Sequence, residues 1–312
     1  MRVTNSMITK NYLTNLNANM TTLSKYQTQM ASGKRITTIS DDPVGVLRSM
    51  QYRVNLYRSE QYQKNVDTAK SWLTQAETSV MELNSVITSA YESSIQASSA
   101  YITDQDKAAV AEMIGQLRDQ VVTLANSQIG DKYIFGGYNT LQQPFKVDQT
   151  TGVLSYNGLD LSDDSNPALL AQNDQNLQLE IGFGLKTDVS MPGTKLLGTG
   201  DDNIYAVLDG LYKALKNGGS PQEIAGYSSK LQNAQSDVLS LAAEIGGRSN
   251  RLDLVNKRYD DDILNYTEMK SNVEDVDAAE IIMQYKMAEF TYLAALKTGN
   301  SIIQPSLVDY LN

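Results

Sequence analysis

Residues 224–276 read IAGYSSKLQNAQSDVLSLAAEIGGRSNRLDLVNKRYDDDILNYTEMKSNVEDV. Apolar side chains recur there at alternating spacings of three and four: Ile224, Tyr227, Leu231, Ala234, Val238, Leu241, Ile245, Leu252, Val255, Tyr259, Tyr266, Met269, Val273 and Val276. Only Arg248 and Asp262 interrupt the series. A seven-residue repeat keeps one narrow stripe turned toward a partner helix, which is the coiled-coil condition. A helix carrying it would be about 80 Å long at ~1.5 Å per residue, more than a compact domain needs. Such a chain is built to span and assemble rather than to surround a reaction.

The partner stripe lies upstream. Tyr62, Val66, Ala69, Leu73, Ala76, Val80, Leu83, Ile87, Ala90, Ser94 and Ala97 keep the same spacing, with a phase shift between Tyr57 and Tyr62 that reads as a stutter. Asp42-Pro43 reads as an N-cap followed by a first-turn proline, and Ser220-Pro221-Gln222-Glu223 as a capping box that opens the long seam. Thr103 caps a third helix with stripe Val110, Ile114, Leu117, Val121 and Leu124. The chain ends carry shorter stripes. One runs over 7–30 through Leu13, Leu16, Met20, Leu23 and Met30 and stops at Gly33; the other has Ile281, Tyr285, Ala288, Tyr292 and Ala295.

Between residues 130 and 200 the helical period vanishes. Tyr133-Ile134-Phe135 reads as a strand ended by Gly136-Gly137, and Phe145–Val147 and Val153–Tyr156 flank a hairpin turn. Leu177, Leu179, Ile181, Phe183 and Leu185 alternate as in one half-buried strand. The expected fold is therefore mainly α: a long antiparallel coiled-coil helical bundle built from both chain ends, with a small β-rich insertion domain in the middle. Three segments are expected: 1–42 with 275–312 as a terminal coiled-coil polymerisation domain, 43–140 with 201–274 as a helical rod domain with a β-hairpin, and 141–200 as the insertion. In this order the insertion sits at one end of the bundle and both termini at the other.

Composition narrows the function. Across 312 residues there are 26 basic and 36 acidic side chains, a net charge of −10, which disfavours nucleic acid and anionic membranes as partners. The chain has no cysteine and no histidine. That removes disulfides, thiolate chemistry, the commonest metal ligands and any Ser-His-Asp triad. No apolar run is long enough to cross a membrane, and no secretory signal is visible at 1–12.

The remaining candidates for chemistry are weak. Gly182-Phe183-Gly184 resembles half a dinucleotide fingerprint but lies on an expected strand. Asp160, Asp163 and Asp164 lack the spacing and glycine of a calcium loop and read as a solvated turn. Lys34, Arg35, Arg48, Arg53 and Arg58 form a local basic stretch, read as inter-helix ion pairing. Gly246-Gly247 breaks a helical rule at a cost of roughly 2 kcal/mol relative to alanine, and close approach of a neighbouring backbone is the expected compensation. No acid/base pair with a useful spacing is visible in the β insertion, so a hydrolase is the least supported class. No enzyme activity, cofactor or metal is expected.

Several motifs carry a resemblance. The Leu-rich start, the Ser32-Gly33-Lys34-Arg35-Ile36 turn, Ser40-Asp41-Asp42-Pro43, and then Asn65, Asp67, Leu73 and Glu77 are similar to the N-terminal signature of bacterial flagellins and their axial relatives. Ile245-Gly246-Gly247-Arg248-Ser249-Asn250-Arg251-Leu252, Val276-Asp277-Ala278-Ala279-Glu280 and Ile302-Ile303-Gln304-Pro305-Ser306-Leu307 resemble the family's C-terminal segments. The start at Met1-Arg2-Val3-Thr4, Asp42-Pro43 and the Tyr133–Gly137 run are closer to the hook–filament junction branch than to filament flagellins. A filament-forming flagellin with a short variable domain is the alternative. Val86–Ala97 lacks the arginines that flagellins carry at the innate-immune receptor site.

The resemblance implies an extracellular structural subunit of the bacterial flagellum, exported unfolded through the flagellar channel. Its implied partners are copies of itself in a ring, hook-associated protein 1, flagellin, and an export chaperone on the C-terminal helix, without nucleic acid or membrane insertion. Short terminal helices bury little apolar area against a large ordering cost. The ends, 1–39 and 276–312, are therefore expected to be largely disordered in the monomer and to order on assembly. The candidate subunit-interface residues are Leu13, Leu16, Met20, Leu23, Met30, Ile281, Tyr285, Ala288, Tyr292, Ala295, Ile302 and Leu307.

Overall fold

The computed structural model describes residues 5–99, 103–148 and 151–303, with the backbone alone for 5 and 300–303. In chain order, α1 (Asn5–Ser32), α2 (Pro43–Ala97) and α3 (Asp104–Ala125) precede five short strands: β1 (Gln128–Ile129), β2 (Lys132–Tyr133), β3 (Phe145–Val147), β4 (Leu154–Tyr156) and β5 (Leu159–Asp160). Then come α4 (Pro167–Leu170), β6 (Gln178–Gly182), β7 (Leu185–Asp188), α5 (Gly193–Leu197), α6 (Ile204–Lys216), α7 (Pro221–Glu274) and α8 (Ala278–Ile303). The sheets are small and antiparallel, β1-β2, β3-β4-β5 and β6-β7. The mainly α fold with a small β insertion is the observed one.

The described chain divides into two compact units. One combines the residues up to Ser59 with those from Asp261 onward, and the other spans Glu60–Asp260.

In the Glu60–Asp260 unit, α2 and α7 run antiparallel. Val66, Ala69, Leu73, Ala76, Val80, Leu83, Ile87 and Ala90 are fully buried from one side, as are Ile224, Leu231, Ile245 and Leu252 from the other. Polar pairs flank the seam: Gln63–Asp260 at 2.6 Å, Asn256–Asp67 at 3.2 Å, Lys70–Asp253 at 2.5 Å, Gln235–Thr88 at 3.0 Å and Ser94–Ser228 at 2.8 Å. Partners advance on α2 as they retreat on α7 by nearly the same count, so the register holds without a slip. The expected caps form. Gly45 N donates to Asp42 Oδ1 (2.9 Å), Asp106 N to Thr103 Oγ1 (3.2 Å) and Glu223 N to Ser220 Oγ (3.2 Å). α3 packs on α6, where Arg118 pairs with Asp209 at 2.7 Å and stacks over the Tyr205 and Tyr212 rings.

The insertion departs from expectation in three ways. Leu177–Leu185 is not one strand: it folds back at Phe183-Gly184, where Gly184 has φ +68° and Phe183 is 94% exposed. Apolar alternation continued through this turn and concealed it. Second, that hairpin is not confined to the end of the α2–α7 pair but lies alongside it. Asn65 Nδ2 donates to Glu180 O (2.8 Å), Tyr259 Oη to Ile181 O (2.6 Å) and Arg248 Nη1 to Asp188 O (3.3 Å). Third, the strand at Tyr133–Phe135 stops at Tyr133; Ile134 and Phe135 are buried outside any strand. The hairpin at Phe145–Tyr156 forms as expected, with Phe145 opposite Tyr156.

Gly246 and Gly247 also correct a sequence reading. α7 continues through both, and no described atom of another part of the chain lies within 4 Å of a Cβ built at either. Among the described residues no other backbone closes on them. Gly246→Ala and Gly247→Ala are therefore expected to stabilise the isolated chain by about 1 kcal/mol each, read as a raised midpoint of thermal unfolding.

Candidate assembly surface

The unit that joins the two ends of the described chain is built on α1 and α8, which pack antiparallel. Tyr12 Oη donates to Ala295 O at 3.0 Å, and a Cβ at Gly299 would fall within the Tyr12 ring. On α8 the candidate residues share one side: Ile281 is buried, and Tyr285, Ala288, Tyr292 and Ala295 are half-buried. On α1 they split. Leu16 and Leu23 are half-buried, whereas Leu13, Met20 and Met30 are 48%, 58% and 42% exposed.

The inward side of α1 is instead completed by Tyr12, Asn19, Tyr26 and Gln29, which the apolar pattern passed over. Their signal is positional, since 12, 19 and 26 are one heptad apart. The side chain of Ile302 and all of Leu307 lie outside the described residues. A second apolar face of α8, which the sequence reading did not single out, stays uncovered: Met283, Met287, Phe290 and Leu293 are all more than half exposed. Gly299→Val is expected to force α1 and α8 apart, seen as loss of helical signal from the chain ends and loss of incorporation into assemblies.

Beside this pair lies a polar clasp. The connection after α1 turns at Gly33, with φ +67° as the left-handed helix stop requires. It then runs beside the end of α7: Arg35 N donates to Glu274 O (2.6 Å), Val276 N to Gly33 O (3.1 Å) and Arg35 Nη2 to Val273 O (2.9 Å). The Glu274 side chain is 4% exposed. It receives Arg53 Nε at 2.7 Å and the Ser49 hydroxyl on Oε1, with Lys34 Nζ 3.4 Å from Oε2. The Arg53 guanidinium, aided by Ser49 and Lys34, holds the Glu274 carboxyl down at about 2, against burial acting the other way.

Asp41 is held well below the usual carboxylate range by Lys25 at 2.9 Å and by the Thr38 and Thr37 amides. The basic stretch thus pairs in part as expected, with Arg53 and Lys34 on Glu274 and Arg35 on Asp42.

Asp160, Asp163 and Asp164 accept hydrogen bonds from Ser162 N, Ser165 N and Thr199 Oγ1, and no cluster of three potential acidic metal ligands occurs among the described residues. Among those residues no helix is long and apolar enough to cross a membrane.

Comparison with known proteins accords with this architecture. Residues 3–140 match the family described as the bacterial flagellin N-terminal helical region. Flagellar hook-associated protein 3 of Salmonella typhimurium is 27% identical, with 96% of each chain covered. The protein of the same name from Escherichia coli is 26% identical, with 88% of each covered. The flagellar junction protein FlgL from Legionella pneumophila, a solved structure, superposes with a TM-score of 0.57 at 15% identity, over 74% of this chain and all of that one, and shows the shared fold. Over residues 3–140 the chain is similar to the flagellin family, and its relatives support a structural role in the flagellum. Its similarity to hook-associated protein 3 runs nearly end to end.

Proposed function

We propose that this chain is a subunit of the hook–filament junction, joining hook-associated protein 1 to the flagellin filament by coiled-coil packing of its terminal helices. The near end-to-end similarity to proteins named hook-associated protein 3 carries this reading. The uncovered apolar face of α8 supports it, because exposed methionines, a phenylalanine and a leucine on one helix side are stable in water only at a cost that a neighbour removes. On this reading the segments 1–42 with 275–312 polymerise, 43–140 with 201–274 form the rod, and 141–200 decorates it. The ends order on joining neighbouring copies in a ring. The C-terminal helix is met first by an export chaperone, and the chain reaches the cell exterior through the flagellar channel.

The absence of cysteine makes the test direct. Phe183→Cys places one reactive thiol on an exposed hairpin tip. Maleimide dye on intact flagella is expected to give a single spot at the base of each filament. Label distributed along the filament would instead identify a filament-forming flagellin and overturn the junction reading.

A further inference from the structure

The chain holds two Asn-Gly pairs, Asn157-Gly158 and Asn217-Gly218, and the fold sets them in opposite surroundings. An asparagine before glycine is open to attack on its own side chain. Glycine has no Cβ to hinder its main-chain nitrogen from reaching Cγ, the amide carbon of the preceding residue. The reaction has two physical needs. The two atoms must be free to meet, and the negative charge that grows on Oδ1 must be solvated.

Asn217 has both. It stands at the C-terminal end of α6, its side chain exposed and without a hydrogen bond to any described residue. Asn217-Gly218-Gly219 join Lys216, the last residue of α6, to Ser220, the cap of α7. Gly218 N reaches Leu215 O only at 3.4 Å, while Gly219 N donates to Ala214 O at 2.7 Å. The last turn of a helix opens readily, and water is then at hand for Oδ1.

Asn157 has neither. With Gly158 it forms the two-residue turn between β4 and β5, at φ +50° and +84°. Asn157 N donates to Pro144 O (2.8 Å), and its Nδ2 to Gln172 Oε1 (3.0 Å). Its Oδ1 is buried and accepts from no donor among the described residues. Charge gathering on that atom would be shut away from water and unmatched, which is costly.

We infer that Asn217 is a site of spontaneous deamidation, and that the fold keeps Asn157 inert in the same dipeptide. In the first step Gly218 N bonds to Asn217 Cγ, the Cγ–Nδ2 bond breaks, and ammonia leaves with the proton from Gly218 N. Water then opens the cyclic imide. Opening at Cγ leaves aspartate; opening at the main-chain carbonyl leaves an isoaspartyl link whose backbone is one carbon longer. Either product adds a negative charge at the end of α6, where the helix carbonyls already carry one. The isoaspartyl form also upsets the spacing by which Gly219 N closes the helix on Ala214 O.

The experiment uses the purified full chain, kept in warm, mildly alkaline buffer, both native and in denaturant, and sampled by peptide mapping with mass detection. Each site's folded rate is read against its own rate in denaturant. Asn217 should keep most of its rate on folding, whereas Asn157 should slow by roughly tenfold or more. On isoelectric focusing of the native chain an acidic species should grow. Asn217→Gln should abolish it, because the longer side chain must close a larger and slower-forming ring.

Equal slowing of both sites on folding would overturn the proposal, since the turn after α6 would then protect as well as the buried hairpin does. So would a folded Asn157 that keeps its rate, an Asn217 that converts in neither state, or an acidic species that grows undiminished in Asn217→Gln.

Discussion

Glu274→Ala is expected to loosen the joint between α1, the start of α2 and the end of α7, at a cost of about 3 kcal/mol to the unit that holds the chain ends. The carboxylate is nearly sealed from water and is shared by Ser49, Arg53 and Lys34. Arg53 and Lys34 are themselves 63% and 40% exposed, so they regain water when it is removed, which keeps the loss below that of a fully buried pair. The same group sets an acid limit. Its folded-state value of about 2 lies below its ordinary 4.5, so its contribution is complete above about 4.5 and is lost as pH falls toward 2. Amide hydrogen exchange at Arg35 and Val276, whose N–H groups bond across this joint, should, after correction for the intrinsic rate, accelerate as pH falls through that window in the parent. Glu274→Gln should exchange faster there at neutral pH and lose the Glu274-dependent part of the acid response. An unchanged acid profile in that variant would remove Glu274 from the account.

Gly193→Ala is expected to cost the β insertion about 3 kcal/mol. A Cβ there would enter the Phe145 ring and press on Tyr156, both without solvent exposure. Neither ring can withdraw cheaply. Their centroids are 5.0 Å apart, and the Tyr156 hydroxyl donates to Phe135 O (3.0 Å) while accepting Gly193 N (3.1 Å). Trp72, the chain's one tryptophan, is buried on α2 within the same unit and reports its unfolding. Denaturant midpoints followed by its fluorescence should fall for Gly193→Ala and stay level or rise for Gly226→Ala, where a Cβ meets nothing.

The long α2–α7 seam was legible because each helix repeats its apolar residues for about ten turns or more, and a period that long has few other readings. Asp42-Pro43, Thr103 and Ser220-Pro221 were legible for a local reason: capping joins residues within one turn of each other. The turn at Phe183-Gly184 was hidden, since a strand and a hairpin both alternate and only the glycine's positive φ separates them. The seam of α1 was half read. Tyr12, Asn19, Tyr26 and Gln29 satisfy the α1–α8 contact with rings and amides, which a hydrophobic template skips. Glu274, Gly193 and Gly299 were beyond reach. Each matters through partners more than 35 positions away in the chain, and nothing in its own surroundings marks it out.

The hairpin β6–β7 is tied to the helices by side chains that belong to the helices: the Asn65 amide, the Tyr259 hydroxyl and the Arg248 guanidinium, each reaching a main-chain oxygen of the hairpin. Carbonyl oxygens are the same whatever residue bears them. The outer decoration is thus free to drift in sequence, or to be re-tailored by an engineer, while its mooring stays written in three helical positions that need not change.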